Sequence, residues 1–244
     1  MAGLRLDAWL VQRGLAENAD QAQRLIRAGK VLVNGHTAAK PGVTYPAETD
    51  IALETPPRFV SRGGDKLEGA FVHFGLTVQD ELCLDVGAST GGFTDCLLQH
   101  GARRVYAVDV GRNLLHPRVA GDPRVVVMDG LNARHLKPDL FPELATFAVV
   151  DTSFISLRLI LPSVLSALAP AARLVTLIKP QFEADPAEVV KGGVVRDAAV
   201  HERIIEHIRR TGERDHGLRW QGVCPSPLRG PAGNIEFLAY WVRP

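Results

Sequence analysis

Five short apolar runs, each broken off by a charged residue, constrain this chain more than any other feature. They are "ELCLD" with Asp85, "VYAVD" with Asp109, "VVVMD" with Asp129, "FAVVD" with Asp151 and "VTLIK" with Lys179. Near-continuous β-branched and apolar residues are the pattern of strands buried on both faces. From about Gly64 such runs alternate with helical segments to the end of the sequence. That alternation predicts an α/β domain built on a mainly parallel, doubly wound sheet. Sheets of this kind keep their ligands at the carboxyl ends of the strands, where these charges would arrive.

The first 55 residues have another texture. "LRLDAWLVQRG" predicts an amphipathic helix stopped by Gly14. "NADQAQRLIRAG" predicts a second, with Asn18 as N-cap, Gln21 at the capping-box position and Gly29 as stop. A strand, an Asn34-Gly35 hairpin turn, a Pro41-Gly42 turn and the strand "DIALE" complete the module. Residues 56–63, opening on Pro56-Pro57, read as a short semi-stiff linker, and residues 64–244 as the α/β domain. The formal charge of +1 neither requires nor excludes a nucleic-acid partner. Cys83, Cys96 and Cys224 are too few and too scattered for a disulfide framework or a zinc site, so reduced thiols and no metal are expected. No apolar run approaches the roughly 18 residues of a membrane span, so the expectation is a cytoplasmic protein with no membrane partner.

The loop Asp85-Val-Gly87-Ala88-Ser89-Thr90-Gly91-Gly92 allows two cofactor readings. Glycines after a strand can bring backbone onto the pyrophosphate of a dinucleotide. Here Ser89 occupies the middle glycine position, and a carboxylate at the start of the loop would repel pyrophosphate. Asp85 suits a ligand bearing an amine and a sulfonium, as S-adenosyl-L-methionine does. Asp109 can accept bonds from ribose hydroxyls in either reading, and Asp129 from an adenine amino group. This half of the chain resembles the class I methyltransferases, whose fold is Rossmann-like.

Four charged side chains come from separate segments: Lys66, Asp151, Lys179 and Glu236. Asp151-Thr-Ser-Phe154 lacks the proline pair that amine methyltransferases often carry at this strand end, which argues against amine methylation. The segments "SRGGDKLEGA", "CLDVGASTGGFTDCLLQHGA", "DTSFISLRLILP", "LIKPQFEA" and "SPLRGPAGNIEFL" resemble the haemolysin A-like (TlyA) family of ribosomal RNA methyltransferases, which share the FtsJ-type fold. In the first module, "RLDAWLVQRGL", "AQRLIRAGKVLVNG" and "KPG" resemble the RNA-binding domain of the S-four type. The resemblance implies methylation of a cytidine ribose 2′-hydroxyl, with Lys66, Asp151, Lys179 and Glu236 as the catalytic tetrad. It also implies phosphate contacts from Arg5, Arg24, Arg27 and Lys30, and ribosomal RNA or ribosomal subunits as partners; a monomer is only the default expectation. "RNLLHPRVAG" after Asp109 and Gly130-Leu131-Asn132 after Asp129 depart from the family pattern beside the adenosine end of the cofactor.

Lysine begins near a pKa of ~10.4. As a general base poised near ~7.5, Lys179 would need about three units of depression, or ~4 kcal/mol. A like charge at about 4–5 Å is worth on the order of 3–4 kcal/mol at an effective dielectric near 20, while Asp151 and Glu236 oppose it. The competing reading keeps Lys179 charged, to stabilise a developing alkoxide. Two other functions stay open at this level: a non-catalytic RNA-binding assembly factor, and a membrane-active haemolysin. The second suffers from "DAAVHERIIEHIRRTG", whose Ile204, Ile205 and Ile208 form the stripe of a core-facing helix.

Overall fold

The computed structural model describes residues 3–54 and 57–244. The chain divides into two compact units, Met1–Pro57 and Arg58–Pro244.

In the first unit, β1 (Leu4–Arg5) leads into α1 (Leu6–Gln12), and α2 spans Ala19–Arg27. The Asn18 side chain accepts the Gln21 N–H at 2.9 Å and so caps α2. Gln21 bonds back to the Glu17 N–H, one residue earlier than a standard capping box. Strands β2 (Val31–Val33) and β3 (His36–Thr37) form a hairpin. Both turn residues, Asn34 and Gly35, have positive φ (49° and 78°), the type I′ geometry that matches strand twist. β4 (Thr44–Tyr45) pairs with β1, and β5 (Ile51–Leu53) with β2. Leu6, Trp9, Leu10, Ala22, Ile26 and Val31 make the small core.

The second unit begins earlier than the sequence suggests. Residues 56–63 were expected to link; Pro56 lies outside the described residues, but from Arg58 onward the chain is packed. Phe59 is fully buried with Leu67, Phe71 and Phe93. The Val60 N–H donates to Asp95 at 2.8 Å, and a Cβ on Gly64 would lie 2.2 Å from the Phe59 ring. A large aromatic in a short polar stretch gains more from the core than from solvent, which ends the linker there.

The elements then follow as α3 (Gly63–Phe74), β6 (Leu82–Val86), α4 (Gly92–Gln99), β7 (Arg104–Asp109), α5 (Pro117–Ala120), β8 (Val125–Asp129) and β9 (Ala145–Val150). After them come α6 (Leu157–Ser166), β10 (Leu168–Ile178), α7 (Pro180–Glu183), α8 (Ala198–His216), β11 (Arg219–Pro225) and β12 (Phe237–Val242). The sheet order is β11-β12-β10-β9-β6-β7-β8. All pairings from β10 to β8 are parallel, and β12 is antiparallel to both its neighbours. Leu82, Leu84 and Val86 of β6 face one core with α6 and α8, while Cys83 faces the other with α3 and α4. Ile204 and Ile208 of α8 are buried in the first of these cores.

Two features of this topology place the site. From β6 the chain steps outward to β7 and β8, then crosses to β9 on the other side, so the loops after β6 and β9 diverge at a switch point. In β12, Phe237 pairs with Ile178, so Glu236 and Lys179 leave the sheet at the same edge.

Candidate active site

The four charged residues of the sequence reading line one cavity of about 320 Å³ at that edge. Lys66 projects from the first turn of α3, Asp151 follows β9, Lys179 follows β10 and Glu236 precedes β12. They form two ion pairs. Lys66 Nζ donates to Glu236 Oε2 at 2.5 Å, with Glu236 only 1 % exposed. Lys179 Nζ lies 2.5 Å from Asp151 Oδ1, though not aligned for a hydrogen bond, and donates to Ser153 Oγ at 3.0 Å. Lys179 itself is 8 % exposed. Pro180 fixes φ directly after it, which ends β10 and opens α7. Glu183 at the end of α7 accepts from Ser156 Oγ (2.6 Å) and the Leu157 N–H (2.7 Å), tying the Lys179 segment to the Asp151 segment. Burial pushes the Glu183 carboxyl up, against those bonds.

A second cavity of about 500 Å³ adjoins the first and shares Gly87, Ser89, Asp151 and Ser153 with it. Gly87 has φ +89°, and a Cβ there would meet the Asp151 carbonyl oxygen at 2.4 Å. Glycine is therefore what lets the two loops touch. Ser89 adopts φ +49° at the middle of the loop. Ala88, Thr90 and Gly92 face the first cavity. Gly91 faces neither; its space is closed by Leu115 and Val119.

The three strand-end acids play different parts. Asp109 lines the second cavity, accepting from the Ser89 N–H (2.8 Å) and the Gly111 N–H (2.7 Å). Carboxylate lone pairs remain to take hydroxyls. Asp129 does not line it; it accepts the Asn113 N–H at 2.7 Å and so shapes the loop before α5. The polar side chains at that end of the cavity are Asn132 and Arg134, with Leu114 and Leu131 beside them. Asp85 lies under the glycine loop, completely buried, and lines neither cavity. Its Oδ2 accepts from Thr94 Oγ1 at 2.6 Å, and its Oδ1 has no partner. Burial pushes Asp85 up to about 7, against the Thr94 bond, and the neighbouring Asp151 adds to the rise.

An orphaned carboxylate oxygen beneath a glycine cradle, with an acid for hydroxyls and an apolar end carrying one amide, fits a cationic nucleoside. A pyrophosphate there would meet Asp109 and approach the buried Asp85, like charges both. Ser153 and Asn132 are the residues that sequence reasoning missed. Ser153 sits within the quoted strand-end motif, and Asn132 within a stretch noted only for departing from the pattern.

In the first unit Arg5 is committed to Asp7 at 2.7 Å, and the Arg5 guanidinium holds the buried Asp7 carboxyl below the usual range. Lys30 pairs with Glu54 at 2.7 Å, and Arg27 donates to Gln23 at 3.2 Å. Arg24, Arg27 and Lys30 are exposed. The structure also brings Cys96, scattered in sequence, beside Glu68 and His100. Glu68 is already held by Arg58 and His100, each at 2.7 Å.

Residues 59–243 match the model of the FtsJ-like methyltransferases, and residues 4–51 that of the S4 domain. The chain belongs to the FtsJ-like methyltransferase family. Among relatives of this methyltransferase, it is 43% identical to "16S/23S rRNA (cytidine-2'-O)-methyltransferase TlyA" of Mycobacterium tuberculosis, covering 98% of this chain and 89% of the relative. It is 42% identical to "Hemolysin A" of Brachyspira hyodysenteriae, covering 98% and 100% respectively. A solved structure of a haemolysin-named protein from Streptococcus thermophilus superposes with a TM-score of 0.76 at 42% identity, covering 100% of this chain and 89% of the other. These relatives place the methyltransferase in the haemolysin A-like (TlyA) branch of the family.

Proposed function

We propose that this FtsJ-like methyltransferase transfers a methyl group from S-adenosylmethionine to a cytidine ribose 2′-hydroxyl of ribosomal RNA. The observation that carries the reading is the junction of the two cavities. A groove of about 500 Å³ lined by Asp109 and Asn132 and a cleft holding two lysine–carboxylate pairs share Gly87, Ser89, Asp151 and Ser153. When bound in the groove, S-adenosylmethionine supplies an electrophilic methyl group. Asp109 and Asn132 would hold its nucleoside end, and Asp85, buried beneath the loop and lining neither cavity, would act on its cationic end only by ionising as the cation binds.

A ribose hydroxyl is a poor nucleophile, and the cleft meets it with Lys179. Asp151 and Ser153 fix the direction of the Lys179 amine, leaving its free side toward the cavity. As a neutral amine, Lys179 takes the hydroxyl proton as oxygen attacks, the general-base role. The 2.5 Å approach of Lys179 to Asp151 favours a second reading in which Lys179 stays charged and stabilises the forming alkoxide. Lys66 and Glu236, locked together on the other wall, would position the ribose. The first unit would contact RNA phosphates through Arg24, Arg27 and Lys30, and through Arg5 if it exchanges Asp7 for phosphate, with modest and salt-sensitive affinity because its acids balance its cations.

No helix among the described residues is long and apolar enough to cross a membrane, and the apolar stripe of α8 is spent on the core. A non-catalytic assembly factor would have no use for the paired lysines at the cavity junction.

The test uses methyl-labelled S-adenosylmethionine, unmodified ribosomal subunits, and the wild type beside Lys179→Ala. Alkali cannot cut beside a 2′-O-methylated ribose. Label in alkali-resistant dinucleotides, absent with the variant, is the expected result. Label confined to single nucleotides would mean a methylated base and overturn the hydroxyl mechanism.

A further inference from the structure

The catalytic cleft contains two cations that methyl transfer leaves unused. Arg62 immediately precedes α3, one turn ahead of Lys66. Arg229 lies in the loop that delivers Glu236, where its Nη1 donates to the Gly233 carbonyl at 3.1 Å. Both line the 320 Å³ cavity, and both are exposed. Among the described residues, neither takes part in an ion pair. Of the cations lining this cavity they are the two without a carboxylate partner.

The charge of the cavity follows from this. Its lining carries four cations, Arg62, Lys66, Lys179 and Arg229, against two carboxylates, Asp151 and Glu236. The carboxylates are taken by the lysines at 2.5 Å each. What remains uncompensated is the pair of guanidiniums at the mouth. A reactive centre that needed only to deprotonate a hydroxyl would not require them.

The substrate chemistry does. In an RNA chain C2′ neighbours C3′, which carries a phosphodiester, and C5′ of the same ribose carries another. A 2′-hydroxyl cannot reach Lys179 without bringing at least its 3′-phosphate to the cleft. We propose that Arg62 and Arg229 form a clamp for the two phosphodiesters that flank the target ribose. This rests on the ribose-methylation reading above and adds to it the groups that hold the target nucleotide. Guanidinium suits the task because its planar fork meets phosphate oxygens two at a time. The clamp reads no base, so it positions the ribose whatever nucleotide is presented. Because Arg62 and Arg229 sit on the same two segments as Lys66 and Glu236, the 2.5 Å bond between the latter holds the two jaws together.

Counterion release gives the test its sign. Each lost phosphate contact flattens the slope of log affinity against log salt by about 0.7 for single-stranded and about 0.9 for duplex nucleic acid. The full chain, as wild type, Arg62→Gln, Arg229→Gln, the double variant and Arg62→Lys, is assayed between low and moderate potassium chloride. Two quantities are read: kcat/KM for methylation of unmodified ribosomal RNA, and equilibrium filter binding of the same RNA. Each single variant is expected to flatten both slopes by about 0.7–0.9 and the double variant by about twice that, while Arg62→Lys restores the slope. Affinity for S-adenosylmethionine, measured by calorimetry on protein alone, stays at the wild-type value. Unchanged slopes in both single variants would overturn the clamp, as would a flattening that appears only with lost cofactor affinity. Were the wild type to bind RNA without methylating it, the catalytic reading would fall, and the binding slopes would still decide for or against the clamp.

Discussion

Replacing Asp85 by Asn tests the electrostatics beneath the glycine loop. Asp85 is wholly buried and its carboxyl is raised from 3.8 to about 7, chiefly by loss of water. The folded protein therefore keeps a proton on Asp85 that the unfolded chain releases near pH 4. By linkage, the group's stabilising contribution is complete below that value, falls as pH rises toward 7 and is gone above it. Three units at ~1.4 kcal/mol each set an upper value of about 4 kcal/mol, of which about 3 kcal/mol falls between pH 5 and pH 8. Asn keeps the oxygen that accepts from Thr94 but cannot titrate. Urea unfolding of the unliganded protein would be followed through Trp220 and Trp241, in a Trp9→Phe background that silences the first unit. The stability of Asp85→Asn relative to wild type is expected to rise by about 2–3 kcal/mol from pH 5 to pH 8. Working with this difference cancels the other titrating groups. Parallel pH curves for the two proteins would refute the reasoning, since Asp85 would then ionise as it does in water.

Lys179→Ala is expected to lower the methylation rate by about 10²–10⁴-fold with cofactor affinity retained, read by single-turnover kinetics and calorimetry. In the wild type, a rate that rises with pH through an ascending-limb pKa near ~7.5 would mark a neutral general-base Lys179, whereas no such limb and a fall only above about pH 9 would leave the charged-lysine reading standing. Gly87→Ala forces a side chain to φ +89° and against the Asp151 carbonyl, at a cost of about 1–3 kcal/mol or a displaced loop. A lowered urea midpoint with weakened cofactor binding would show it. Phe59→Ala is expected to destabilise the second unit by about 3–5 kcal/mol, again by urea unfolding; an effect below about 1 kcal/mol would mean the segment is the linker its sequence suggests.

The parts legible in the sequence were those governed by local rules. Period and composition marked β6, β7, β9 and the end of β10, and Asn34-Gly35 declared its own turn. The strand-end residues Asp151 and Lys179 were visible because a charge at the end of an apolar run is improbable without use. Pairings across the chain were not legible. Lys66 meets Glu236 only because β12 inserts antiparallel beside β10 with Phe237 opposite Ile178, a register that no local pattern encodes. The division of labour among Asp85, Asp109 and Asp129 was hidden for a similar reason. Each ends its own strand, but one lies beneath the loop, one faces the cavity and one braces a neighbouring turn.

The place of β12 also couples chemistry to maturation. It is the inner strand of the antiparallel edge, and the cleft wall it carries closes on a residue 170 positions earlier. Contacts so distant in sequence are among the costliest in chain entropy and tend to form after local ones. A partly folded second unit could retain β6, its glycine turn and a nucleoside groove, yet would lack the Lys66–Glu236 wall. Formation of this wall is therefore expected to trail that of the glycine turn when the unit refolds. Specific activity, for this reason, counts only molecules that have completed folding.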